Sequence, residues 1–198
     1  PDLVVILGDL VIHDVLLGRF VPPETTAAHL AGLRAPDGVV AVLGNHDWWL
    51  DGPRVRGDLE RAGIRVLENE ATPIGDGARR FWVAGLADLW TRPVSIPRAL
   101  ARVPADEPVV LLTHNPDVFP GVPARVALTL AGHTHGGQVA VPFLGRPVVP
   151  SRYGQRYAYG LIVEDGRALF VSSGIGTSLL PVRFRVPPEI AIVTLSAP

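Results

Sequence analysis

Short apolar runs, each cut off by a glycine or a polar loop, recur along the first two thirds of the chain. Leu3 to Leu7 is a continuous apolar run that stops at Gly8-Asp9, and "GVVAVL" stops at "GNHD", residues 44–47. Uninterrupted runs of this length predict strands buried on both faces. "IRVL", "RFWVAGL", "PVVLLTHNP" and "RVALTLAGHTH" predict further strands. Between them the period changes to that of a helix. In residues 24–34, "ETTAAHLAGLR", Ala27, Leu30 and Leu33 share a face behind Pro22-Pro23. Asp51, Pro53 and then Val55, Leu59 and Ala62 predict a capped amphipathic helix that Gly63 stops. Ser95 to Val103 predicts a short helix with proline in its first turn. Beyond residue 155 the pattern turns more purely β. A hairpin is expected to reverse at Asp165-Gly166, and "EIAIVTL" is expected to be a closing strand. Strands alternating with helices, followed by a β-rich third, predict an α/β sandwich of two sheets with helices outside.

The 198 residues fit one domain, residues 1–198, able to bury roughly 70% of its unfolded surface. Hydrophobic residues are 47% and charged residues 19%, too apolar a balance for a disordered chain. The net charge of −1 provides no bulk field for nucleic acid, and no basic stripe interleaved with aromatics is present. With no cysteine, disulfides and thiolate metal sites are excluded. The chain contains no methionine and opens, as "PDLVVILGDL", already inside a core run, so residues upstream of Pro1 are expected.

Four of the predicted core strands end alike: Gly8-Asp9, Gly44 to Asp47, Thr113-His114, and Gly132 to His135. The carboxyl ends of neighbouring strands converge on one edge in α/β folds, and ligands bind there. Asp9, Asn45, His114, His133 and His135 would bring oxygen and imidazole donors to that edge, a set suited to manganese, iron or zinc. In an extended "HTH", alternate residues face one side, so His133 and His135 could point together at one metal or at two.

The series "GDL", "GNHD", "TH", "GHTHGG", in this order, resembles the calcineurin-like metallophosphoesterase superfamily over nearly the whole chain. The tail, "GHTHGGQV…SRYGQRYAYGL…LFVSSGIGTSLLPVRFRVPPEI", is similar to a bacterial branch of envelope-associated phosphodiesterases that includes UDP-diacylglucosamine pyrophosphatases. The resemblance implies a four-layer α/β/β/α sandwich and hydrolysis of a phosphodiester or pyrophosphate by two divalent cations sharing a bridging hydroxide. It implies Asp9 as the carboxylate between the cations, Asn45, His114 and His133 on one of them, and His135 on the other. His46 would serve as general acid or charge stabiliser. Asp47 either orients His46 or is an ordinary turn carboxylate. In "SRYGQRY", Arg152, Tyr153, Arg156 and Tyr157 are substrate candidates, with solvated side chains as the alternative. Trp48 and Trp49 would be a lipid- or base-contacting wall, or plain core. A small-molecule or lipid-linked phosphoester substrate, peripheral membrane association and a bacterial envelope location are further implications.

The sequence departs from the family in one respect. An Asp-x-His motif belongs on a strand before "GD", and the eight residues preceding Asp9 contain no histidine. The N-terminal strand of the fold is thus expected to lie upstream. His13 and Asp14 have suitable chemistry in the wrong position and order. The chain therefore carries one complete donor set and half of another, which leaves a catalytically impaired, metal-binding scaffold as the alternative to an active enzyme. A phosphomonoesterase or nuclease on the same fold is a third reading.

Overall fold

The computed structural model describes residues 1–13 and 15–196. Two sheets form the centre. In the first, β1 (Val4–Ile6), β2 (Val39–Ala41) and β3 (Arg65–Val66) run parallel, with Val4 opposite Val39 and Ala41 opposite Val66. The second is mixed and has six strands: β4 (Glu70–Ile74), β5 (Phe81–Gly85), β6 (Val109–Thr113), β7 (Val126–Ala131), β8 (Gly160–Glu164) and β9 (Arg167–Val171). Their order is β4-β5-β6-β7-β9-β8; β5, β6, β7 and β9 are parallel, and β4 and β8 pair antiparallel at the edges.

The alternation of side chains along each strand explains why the runs are apolar throughout. Val40 and Val42 meet Val83, Val110, Leu112 and Leu130 in a cluster between the sheets. Val39, Ala41 and Leu43 point the other way, onto Ala27 of α1 (Pro23–Leu30) and Val55 and Leu59 of α2 (Asn45–Arg61). Leu111 and Ala84 likewise face outward in the second sheet, beneath Phe119, Tyr157 and Leu100 of α3 (Ile96–Leu100). A strand with both faces covered has no solvent side on which a polar residue is favoured. Each fully buried leucine or valine contributes about 1.5–3 kcal/mol.

Several elements differ from the sequence expectation. The second helix begins at Asn45 and breaks at Asp51 (φ −172°, ψ 84°). The Asp51 cap is real, since its carboxylate accepts the Arg54 N–H at 3.1 Å, but it caps the second half of a helix whose first turn is the "NHD" segment itself. Helix α1 stops at Leu30, and Leu33 lies beyond it. Strand β4, "EATPI", was not anticipated; it is an edge strand containing Pro73, with too few apolar residues to stand out from a loop. The hairpin turns at Asp165 and Gly166, both at positive φ (51° and 73°) as a two-residue loop requires.

"EIAIVTL" is not a strand. Ile190 and Ile192 are almost fully exposed, and the segment has no ladder partner among the described residues. A β-type pattern becomes a strand only where a sheet edge supplies hydrogen bonds, and among the described residues the Glu189 N–H to the Gly174 carbonyl is the last such bond outside the regular elements. Among the described residues, no helix is long and apolar enough to cross a membrane.

Candidate metal centre at the strand ends

The carboxyl ends of β1, β2, β5, β6 and β7 meet along one edge. Gly8 (φ 87°) turns the chain there so closely that a Cβ would lie 2.5 Å from the Gly44 nitrogen and 2.8 Å from His114 Nδ1. A Cβ on Gly44 would overlap Asp9 Oδ1 and approach the Asp9 nitrogen and His114 Cε1 at 2.7 Å each. Glycine is required at both positions because three loops share one small volume.

Within that volume Asp9, His114 and His133 each offer a ligand atom, all within 4.8 Å of one another. The His114 Nδ1 hydrogen bonds the Leu7 carbonyl at 2.6 Å. A carbonyl only accepts, so Nδ1 carries the hydrogen and Nε2 faces the cluster, 3.1 Å from Asp9 Oδ2 and 3.0 Å from His133 Nδ1. Asp9 Oδ1 accepts the His46 N–H at 2.9 Å, tying the start of α2 to the same carboxylate.

The electrostatics are those of ionisable donors packed closely and largely buried. Burial opposes charge on His114, yet the adjacent Asp9 carboxylate outweighs it and pushes the imidazole up to about 9. Burial raises the Asp9 carboxyl, but His114 and His46 together hold it at about 2. Burial and the neighbouring His114 push His133 down to about 3, and burial lowers His135.

Whether a cation suits this place is answered by the atoms that lack partners. Among the described residues, Asn45 Oδ1 and His135 Nδ1 are buried with no hydrogen bond, while His133 turns its Nδ1 to the cluster. An unpaired buried acceptor costs about 1–3 kcal/mol, and a cation satisfies such atoms. The donor set, one carboxylate, one amide oxygen and three imidazoles, fits a divalent transition metal.

His133 and His135 are not held as an extended strand end. After Gly132 the chain turns tightly, with His133 (φ 68°), His135 (φ 52°) and Gly136 (φ 59°) all left-handed. Thr134 fixes the turn by donating to the Ala158 carbonyl at 2.7 Å. His133 joins Asp9 and His114, whereas His135 lies outside that group.

Asp47 is fully buried, and its carboxylate accepts four backbone N–H groups: Leu10 at 2.8 Å and Val11 at 3.2 Å on Oδ1, Asp9 and Gly44 at 2.9 Å on Oδ2. It clamps the loop after β1 onto the loop after β2. Burial and the charge of Asp9 push it up to about 7.

The remaining candidates sit farther out. The Arg152 N–H is anchored on Asp117 Oδ2 at 2.8 Å, while its side chain is largely exposed and its Nε is 3.6 Å from the same oxygen. The Pro150 carbonyl lies beside His133, which brings this loop to the rim of the cluster. Tyr153 and Tyr157 pack on the outer core, and Arg156 is held by Glu164 through two bonds of 2.7 Å. His13 stacks against Phe20 and is not among the clustered ligands; Asp14 lies outside the described residues. Trp48 is half-buried against the helix-side core with the Arg92 guanidinium 4.5 Å from its ring, whereas Trp49 is exposed. Asp88 and Trp90, in the loop after β5, escaped sequence reasoning. Reading "RFWVAGLAD" by the same strand-end rule would have found Asp88, which is buried and helps to hold the charge on His114.

Comparison with known proteins agrees with this geometry. The calcineurin-like phosphoesterase family matches residues 1–143. An uncharacterized metallophosphoesterase of Bacillus subtilis, YkuE, is 33% identical over all of this chain and 68% of its own length. The phosphodiesterase YaeI of Escherichia coli is 36% identical over 98% of this chain and 70% of its own. An uncharacterized metallophosphoesterase of Aquifex aeolicus is 31% identical over 98% and 73%. With the family match spanning most of the chain, and the strand-end donors drawn together in space as well as in order, the protein belongs to the calcineurin-like phosphoesterase family.

Proposed function

We propose that the protein hydrolyses a phosphodiester or pyrophosphate bond at this edge, with two divalent cations of manganese, iron or zinc. Asp9, Asn45, His114 and His133 would hold one cation; Asp9 and His135 would contribute to the other. The observation that carries the reading is the cluster of ligand atoms on Asp9, His114 and His133, with buried, unpartnered Asn45 Oδ1 and His135 Nδ1 as further donors. Bound there, divalent cations supply Lewis acidity toward phosphate oxygens and lower the pKa of water.

The chain's own groups do the rest. Asp9 fixes the backbone of His46, so the imidazole is carried on a helix start that cannot drift from the cluster. His46 protonates the leaving oxygen, and Asp47 keeps the two loops in register. Arg152, at the rim, is the arginine for a second phosphate or a charged headgroup. A diester is favoured over a monoester because the relative YaeI is named a phosphodiesterase. A lipid-linked pyrophosphate at the bacterial envelope is the finer form of the proposal, resting on the tail motifs.

The test is His46→Ala assayed with bis-p-nitrophenyl phosphate, alongside metal analysis. The variant is expected to keep its metal and lose about 10²–10⁴ of the rate. Loss of metal would show that His46 is a ligand, and an unchanged rate would remove it from the chemistry. A metal-loaded parent protein with no turnover on diesters or pyrophosphates would leave the scaffold reading in its place.

A further inference from the structure

Two large aromatic side chains stand in solvent beside the proposed acid and a proposed ligand. Trp49, from the first turn of α2, is 55% exposed, and Trp90, from the loop after β5, is 48% exposed. Tryptophan on a surface forgoes a large burial gain, so a contiguous pair needs a reason. The rings lie 6.2 Å apart and tilt by 31°, forming one surface. That surface runs directly into the site. The edge contact between Trp90 and His133 has centroids 4.4 Å apart, and that between Trp49 and His46 has them 4.9 Å apart.

The wall has a firm mounting. Buried Asp88 accepts the N–H groups of Trp90 at 3.1 Å and Thr91 at 3.0 Å, and the Thr91 hydroxyl at 2.7 Å. Trp49 shares a helical turn with Trp48, which is packed on the core behind it. Arg92 is occupied: it covers Trp48 and pairs with Glu68 at 3.0 Å. The exposed indoles thus present flat apolar surface beside the site.

We propose that Trp49 and Trp90 form a subsite for an aromatic ring, aryl or nucleobase, on the leaving group of the phosphoester. The phosphorus end would lie at the Asp9–His133 cluster and the ring against the indoles, next to His46, where the leaving oxygen needs its proton. The subsite rests on the phosphoesterase reading and makes Trp90 and Trp49 specificity-determining residues.

The test uses three non-hydrolysable anions, titrated calorimetrically into the manganese-loaded protein: methylphosphonate, phenylphosphonate and n-hexylphosphonate. Stacking predicts that phenylphosphonate binds about fivefold or more tightly than methylphosphonate, and more tightly than the hexyl compound. The phenyl-to-methyl ratio should fall below twofold in Trp90→Leu and in Trp49→Leu, and be retained in Trp90→Phe. The ratio is read within one sample, so a general loss of affinity does not imitate the result. Equal binding of phenyl and methyl compounds overturns the subsite and leaves the phosphoester reading intact. Hexyl binding as tight as phenyl overturns the aromatic assignment in favour of an acyl chain. Failure of all three anions to bind overturns the phosphoester reading and this subsite with it.

Discussion

Loading the cluster with metal should expel one proton from the protein's own groups, and the structure says which one. In the metal-free protein the proton on His114 Nε2 sits between Asp9 and His133, where a cation would have to be. With His114 at about 9, roughly nine tenths of the molecules carry that proton at pH 8. His133, at about 3, is already neutral, and Asp9, at about 2, is already ionised. Only His114 must change state, at a cost that grows with each pH unit below its raised value. Apparent affinity for manganese or zinc should therefore rise about tenfold per pH unit from pH 7 and level off near pH 9. The same shift has a consequence for folding. A histidine whose folded pKa is raised stabilises the metal-free protein fully below about 6.5, and that contribution disappears as pH climbs through about 9. Calorimetric titration of metal in two buffers of different ionisation enthalpy counts the protons directly at pH 8. Close to one is expected from the protein's own groups, in addition to the proton released when metal-bound water ionises. A count of zero would mean that His114 is neutral or that the metal binds elsewhere, and a pH-independent affinity would refute the reasoning outright.

Two further predictions concern the scaffold. Gly44→Ala places a methyl group on Asp9 Oδ1, and overpacking of this kind costs about 1–3 kcal/mol; a urea midpoint within error of the parent would contradict the close approach of the loops. In Asp47→Asn the amide can accept two of the four backbone N–H groups and must turn its NH₂ on the others. The metal dissociation constant is expected to rise at least tenfold as the loops separate. A loss of turnover at unchanged metal affinity would instead make Asp47 act directly on His46.

Much of the site could be read from the chain because it is built on strand ends. Each core strand betrays itself by an apolar run, and where the run stops the next residue is forced onto the carboxyl edge. That local rule nominates Asp9, Asn45, His114, His133 and His135 before any contact is known, and the structure brings Asp9, His114 and His133 together. It fails where the backbone leaves the extended state. The period of a strand allowed His133 and His135 to point together, but Gly132 and three left-handed residues replace the extended strand end with a tight turn. It fails too for Asp47, whose four donors come from loops more than thirty residues away as well as from Gly44. The exposed "EIAIVTL" makes the same point in reverse, since a strand pattern without a partner edge remains a pattern.

Sequence alone determined the alternation of elements, the order of the donor motifs and the chemistry those donors can support, because these depend on residue type and short-range spacing. Tertiary structure decided the rest: that Asp9 and His114 form an ion pair, that Asp47 is a clamp, and that Trp49 meets Trp90. Those facts depend on which loops are pressed together when two sheets bury a common face. The separation along the chain, 107 residues between Leu7 and His114, carries no trace of the 2.6 Å between them.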